Sequence, residues 1–190
     1  IVRGDVKRID RLITDISDAS RLDAELSREA PEPVALSRLL ATIIEIYRMT
    51  DTDHAVTFVL RDDLPPGSIV RGRDERLGQV FRNLIDNARS FARPGTKLSV
   101  RVRRVGPDVE FRVDDSGPGI PPDNLQRVFE RFYTDRPEGS FGSNSGLGLS
   151  ISKQIVEAHG GVIWAENIRP TNADPTSDPL GARFVVGLPV

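Results

Sequence analysis

Three stretches of this 190-residue chain carry residue types suited to chemistry. In ERLGQVFRNLIDNARSF, residues 75–91, the carboxamides Gln79, Asn83 and Asn87 recur every four residues and so share one helical face. Uncharged carboxamides hydrogen-bond phosphate oxygens and ligate Mg²⁺ without adding negative charge beside them. The same spacing also describes a solvated polar face. In VDDSGPGI, residues 113–120, the alternation of Val109, Phe111 and Val113 delivers Asp114 or Asp115 to a strand end. A carboxylate there is an acceptor only, able to take donors from an exocyclic amine. Gly117 and Gly119 let the backbone pass close to a ligand. An Asx-type turn stiffened by Pro118 is the competing reading. In GSNSGLGLSISKQIV, residues 142–156, small residues precede an amphipathic helix. Backbone amides and the helix N-terminus together make an anion site, or simply a helix entry loop. No GxxxxGK[ST] loop occurs, and no GxGxxG follows a strand.

The elements that must position these residues follow from periodicity. Residues 1–29 carry an apolar stripe at Val2, Val6, Ile9, Ile13 and Ile16, with Leu12, Ala19, Leu22 and Leu26 widening it. That is one helix of a coiled coil or bundle, and it needs a partner. Pro31 and Pro33 end it, so 30–35 reads as a linker and 36–190 as a second domain. A helix over 36–49, a strand AVTFVL, a DDLPPGS turn and a short strand near Ile69 come next. Asp74 is the expected N-cap of the carboxamide helix, which buries Leu77, Val80, Phe81, Leu84, Ile85 and Ala88. TKLSVRVRRV and DVEFRVDDS form an antiparallel hairpin across Gly106-Pro107. NLQRVFERFY reads as a short helix, LGLSISKQIVEAHG as a longer one. Two strands, GVIWAEN and ARFVVGLPV, close the chain around a Pro-rich loop from Arg169 to Gly181. Strands and helices mixed with hairpins imply an α+β fold, a mixed or antiparallel sheet under helices.

Composition narrows the function. Lys+Arg 26 against Asp+Glu 28 disfavours nucleic-acid binding by bulk charge, and 6% aromatics disfavours stacking on single strands. There is no cysteine, hence no disulfide or thiolate metal site. His54 and His159 are far apart and form no HExxH pair. No run approaches the length of a membrane span. The chain begins Ile-Val rather than Met, as a piece of a longer protein would.

In order and spacing these stretches resemble the nucleotide boxes of the GHKL ATP-binding fold, as found in sensor histidine kinases. RLGQVFRNLIDNA looks like the N box, DDSGPGI the first glycine box and FERFY the F box. SGLGLSI resembles the second glycine box, and HGG with GARFVVGLP completes the pattern. The likeness covers about residues 34–190, and within the family the chain is similar to the ChvG-like kinases of alphaproteobacteria. Residues 1–29 resemble the second helix of the dimerisation and phosphoacceptor bundle. The resemblance implies a two-layer α/β sandwich of GHKL type, with a mixed, mostly antiparallel sheet, preceded by one long helix.

It also implies roles. Asn87 matches the Mg²⁺-ligating asparagine, and Asn83 a contact on the phosphate or metal side; these two are the catalytic candidates. Asp115 matches the carboxylate that accepts from the adenine amino group, with Gly117 and Gly119 shaping the base pocket. Phe91 takes the aromatic position near adenine, and Ile120 and Leu149 line the pocket. Gly146, Leu147 and Gly148 belong to the second glycine box, whose amides face the phosphates, and Tyr133 to Ser145 forms the ATP lid. Ser90 stands where the family usually has lysine, with Arg89 or Arg93 as substitutes; Ala182 replaces a common threonine. ATPases of the wider fold carry glutamate at the Asn83 position, which can activate water; asparagine cannot. The implied activity is transfer of the ATP γ-phosphate to a histidine on the bundle's first helix, which neither His54 nor His159 matches. Relay to a response regulator, a homodimer through the bundle, and a cytoplasmic location under an inner-membrane sensor complete the expectation. A GHKL ATPase and a nucleotide-gated binding module are the alternatives.

Overall fold

The computed structural model describes residues 30–50, 56–133, 146–170 and 177–190, together with Ser17. The expected N-terminal helix, the lid over 134–145, His54 and the middle of the Pro-rich loop lie outside the described residues. Two sheets and three α-helices build the rest. The strands are β1 (Glu32–Val34), β2 (Thr57–Asp63), β3 (Val70–Gly72), β4 (Lys97–Val105), β5 (Asp108–Asp114), β6 (Val162–Ile168) and β7 (Gly181–Pro189). The helices are α1 (Leu36–Thr50), α2 (Asp74–Phe91) and α3 (Gly148–Ala158).

The main sheet has the order β2-β4-β5-β7-β6, with β2 parallel to β4 and every other pair antiparallel. Period-two alternation sends Leu98, Val100 and Val102 of β4 to one face. Val109, Phe111 and Val113 of β5, and Phe184, Val186 and Leu188 of β7, join them there. All three helices contribute to the core on this face. Phe81 of α2 lies 4.4 Å from Phe111 between ring centroids, and Tyr47 of α1 donates to Asp86 of α2 at 2.8 Å. The other face is charged: Arg101 pairs with Asp63, Arg103 with Glu110, and Arg183 with both Asp114 and Glu166. One apolar face and one ionic face make two layers.

Four local expectations change. The stretch read as linker contains β1, which pairs antiparallel with β3. Proline is tolerated in so short a strand at a sheet edge, and Val34 beside it is buried. Strand β2 runs on through Asp62 and Asp63, because β4 continues to offer pairing partners opposite them. NLQRVFERFY is not an α-helix: two 3₁₀ turns, Pro122–Asn124 and Arg127–Phe129, take its place. Only Phe129 of the two turns is buried, edge-on to Phe184, too small an apolar stripe to hold a full helix. The N-cap of α2 is Arg73 rather than Asp74. Arg73 is extended, its N–H donating to His159 Nε2 at 3.2 Å, so the helix begins at Asp74, one residue earlier than expected. Asp74 and Glu75 then sit in the first turn, where negative charge suits the helix dipole.

Candidate functional site

Strand β5 ends by turning its two aspartates apart. Asp114, the last strand residue, points to the ionic face, where Arg183 donates to its Oδ1 at 2.7 Å and its Oδ2 at 2.9 Å. Asp115 turns inward and is 5% exposed. Its Oδ1 accepts from the backbone N–H of Gly117 at 2.8 Å and of Ala182 at 3.1 Å. Among the described residues, none donates to Oδ2. Burial pushes this carboxyl above the usual carboxylate value; the two backbone donors oppose the shift, and the charge of Asp114 adds to it. A buried, pre-oriented acceptor with one unused oxygen is what recognition of an amino group requires.

The glycines around it serve packing as well as approach. A Cβ on Gly117 would stand 2.9 Å from the Phe91 carbonyl oxygen and 3.0 Å from Asp115 Oδ1. Gly119, at φ +81°, would place one 2.5 Å from Pro179 and 2.8 Å from Asn167 Oδ1. On the side where a Cβ would stand, the protein itself packs against both glycines. Phe91, at the last turn of α2, borders this turn and remains 37% exposed. Ile120 packs on the core edge, and so does Leu149.

At the other end, Gly146 adopts φ +72°, and its carbonyl accepts from Phe132 N–H at 3.0 Å. Phe132 itself holds a positive φ of 64°, so backbone strain flanks the segment 134–145 on its N-terminal side. Helix α3 starts at Gly148 with no side-chain cap on its first turn, the arrangement that suits an anion. Leu147 is 2% exposed, so its side chain belongs to the core. Asn83 donates through Nδ2 to Gly148 O at 3.0 Å and to Ser152 Oγ at 3.2 Å. The Ser152 hydroxyl donates in turn to Gly148 O at 2.8 Å. Asn83 thus fixes the start of α3 directly. Asn87 lies one turn along the same face, half-buried, and among the described residues nothing bonds its carboxamide. Ser90, at the position of the missing lysine, donates back to Asn87 O at 2.7 Å.

Sequence spacing did not reveal Ser152, Asn167 or the second bond of Ala182. Ser152 did leave a signal: it is a polar residue on the apolar face shared with Ile151, Ile155 and Val156. Ser152→Ala should cost about 1 kcal/mol, seen as a Tm lower by about 3 °C. An unchanged Tm would show that the triangle with Asn83 and Gly148 does not hold the helix start. The HGG histidine is structural: His159 Nδ1 lies 2.7 Å from Ile155 O, while Nε2 accepts from Arg73.

These residues lie along one ruler. Asn83 meets the start of α3, and Phe91 meets the turn beside Asp115; the eight residue steps from one to the other span roughly 12 Å of α2. A ligand with an amino-bearing base at one end and phosphates at the other fits that spacing.

Comparison with known proteins agrees with the geometry. The model of the family "Histidine kinase-, DNA gyrase B-, and HSP90-like ATPase" matches residues 72–190. Sensor protein ChvG of Rhizobium meliloti (strain 1021) is 50% identical over 196 residues, covering 100% of this chain and 33% of that protein. Sensor protein ChvG of Agrobacterium fabrum (strain C58) is 46% identical over 198 residues, covering 100% and 32%. The chain therefore spans about a third of the length of these curated relatives. The structure of the mycobacterial sensor histidine kinase MprB superposes with a TM-score of 0.68 at 32% identity, covering 84% of this chain and 97% of that one. With its boxes, its mixed five-stranded sheet and its buried strand-end aspartate, the chain belongs to the histidine kinase-, DNA gyrase B- and HSP90-like ATPase family, among the catalytic domains of sensor histidine kinases.

Proposed function

We propose that this region binds Mg²⁺-ATP and presents the γ-phosphate to a histidine imidazole, for relay to a response regulator aspartate. The observation that carries the reading is α2 itself, whose Asn83 touches the phosphate-type helix start and whose Phe91 touches the turn of Asp115. Adenine would sit against Asp115, Phe91 and Ile120, its amino group donating to the unused carboxylate oxygen. Backbone amides of Gly146, Leu147 and Gly148 would face the phosphates. Asn87 would hold the Mg²⁺, with phosphate oxygens and water completing its shell. Bound there, the metal supplies charge neutralisation at the phosphates.

Transfer rather than hydrolysis follows from Asn83. Its carboxamide cannot take a proton from water, and its N–H groups are committed to Gly148 and Ser152. His159 is no acceptor, since both ring nitrogens are engaged. The nucleophile belongs on a bundle helix of the kind that residues 1–29 continue, with 36–190 as the catalytic domain and 30–35 joining the two. The whole protein would then be a homodimer through that bundle and a sensor of the bacterial inner membrane, with this domain in the cytoplasm. Among the described residues, no helix is long and apolar enough to cross a membrane.

Titration with a fluorescent ATP analogue in the presence of Mg²⁺ tests the reading, and repeating it across pH tests Asp115. The ionised carboxylate is the acceptor, so affinity should fall as pH drops through its raised value, above the usual carboxylate range. Stability should move the other way. A carboxyl whose folded value exceeds its unfolded one is most favourable protonated, and that contribution is lost as pH rises through the folded value. Absence of binding at neutral pH would refute the proposal. Phosphohistidine formed on an added His-bearing bundle helix would establish the transfer; free phosphate alone would favour an ATPase.

A further inference from the structure

A side chain outside every recognised box holds the glycine turn from behind. Asn167, near the end of β6, faces Ile120 and exchanges two hydrogen bonds with its backbone. Its Oδ1 accepts from Ile120 N–H at 2.7 Å, and its Nδ2 donates to Ile120 O at 2.7 Å. Both polar groups of one residue in the loop are thereby tied to a strand 47 residues away. The same Oδ1 lies 2.8 Å from where a Cβ of Gly119 would stand, and Pro179 closes the remaining space. Strand β6 is paired with β7 from Val162 to Ile168, so the clamp is mounted on a rigid element. The β7 end of the same pair holds Asp115 through Ala182 N–H.

We infer that Asn167 is the positioning residue of the base pocket: it sets the position of the Gly119–Ile120 backbone relative to Asp115, and with it the discrimination between purines. The inference rests on the nucleotide reading above. Without the clamp, the backbone hydrogen bond left to residues 117–120 among the described residues is that of Gly117 N–H to Asp115, and only packing holds Ile120. The pocket wall at Ile120 then no longer stands at a fixed distance from the carboxylate. A base recognised by its amino group loses alignment, whereas a base that lacks the amino group has no such alignment to lose. A carboxamide suits this role, because one acceptor and one donor must act side by side. Aspartate would set a carboxylate oxygen against the Ile120 carbonyl, and serine is too short to reach both groups.

The test compares ATP with inosine triphosphate, which carries an oxygen in place of the amino group, on the wild-type chain and on Asn167→Ala. The expected result is an ATP affinity lower by about tenfold, with inosine triphosphate binding nearly unchanged, so that the ATP preference collapses. Asn167→Asp should behave as Asn167→Ala does, although it retains the acceptor. Equal loss for both nucleotides would mark Asn167 as merely structural and overturn the inference, as would an unchanged preference. If Asn167→Ala does not fold, the preference is read from Asn167→Asp and Asn167→Ser, and its retention in either would equally overturn the inference. A wild-type chain that binds neither nucleotide would remove the nucleotide reading itself; a wild type that prefers ATP beside variants that still prefer it would remove only this inference.

Discussion

Asp115→Asn should weaken ATP binding by about 100-fold, near 2.7 kcal/mol, while leaving the fold intact. The asparagine side chain keeps an oxygen for the Gly117 and Ala182 N–H groups, which fix its orientation. Its amide nitrogen must then point where Oδ2 was, and a donor meets the adenine amino group. Loss of a bond to a charged acceptor contributes about 1.5–3 kcal/mol. Opposed donors add to that loss. Inosine triphosphate offers an acceptor at that position, so its binding should hold or improve. Stability should hold or rise, because a buried charge is replaced by a neutral isostere. Equilibrium titration with both nucleotides, beside thermal unfolding, reads all three quantities. A parallel loss for both nucleotides would contradict the role assigned to Asp115.

The second large effect is expected at Gly181→Ala. A Cβ at Gly181 would overlap the carbonyl of Asp115, with the Asp115 carbonyl carbon at 2.8 Å and Ser116 Cα at 3.1 Å. All three neighbours are backbone, so no side chain can swing aside to make room. Either β7 moves away from the end of β5 or the aspartate turn shifts, and both break the mutual bonds of Asp115 and Ala182. Overpacking of this kind costs about 3 kcal/mol, or a Tm lower by roughly 10 °C. Nucleotide affinity should fall with it, even at temperatures where the variant is fully folded. A variant that melts like wild type would show that the strands separate at little cost. Gly181 is thus the structural counterpart of Asp115: its missing side chain lets the aspartate turn sit against the end of β7.

Local periodicity made much of this legible. The buried face of α2, from Leu77 to Ala88, follows directly from its apolar spacing, and the β4–β5 hairpin from strict alternation. The twin aspartates, left open by the spacing, follow the rule that adjacent strand residues face opposite sides: Asp114 goes to Arg183 and Asp115 to the interior. What stayed hidden depends on contacts distant in sequence. Asn167 looks like any polar residue near a strand end until the fold brings Ile120 to it. The 3₁₀ turns of residues 122–129 were misread because a short apolar run lacks the length that distinguishes helix types. Strand β1 was hidden by its prolines, whose rule against strands relaxes at an edge. The N-cap of α2 shifted by one residue because His159, 86 residues along the chain from Arg73, claims the Arg73 N–H.

In the proposed binding mode, one carboxylate oxygen of Asp115 receives the adenine amino group. A crystal structure of the chain with a non-hydrolysable ATP analogue and Mg²⁺ measures it directly. The expected result is the adenine amino nitrogen within hydrogen-bond distance of Asp115 Oδ2, with Oδ1 still bonded to Gly117 and Ala182. Adenine bound with its amino group turned away from Asp115, or lodged outside the turn of residues 115–120, would contradict it.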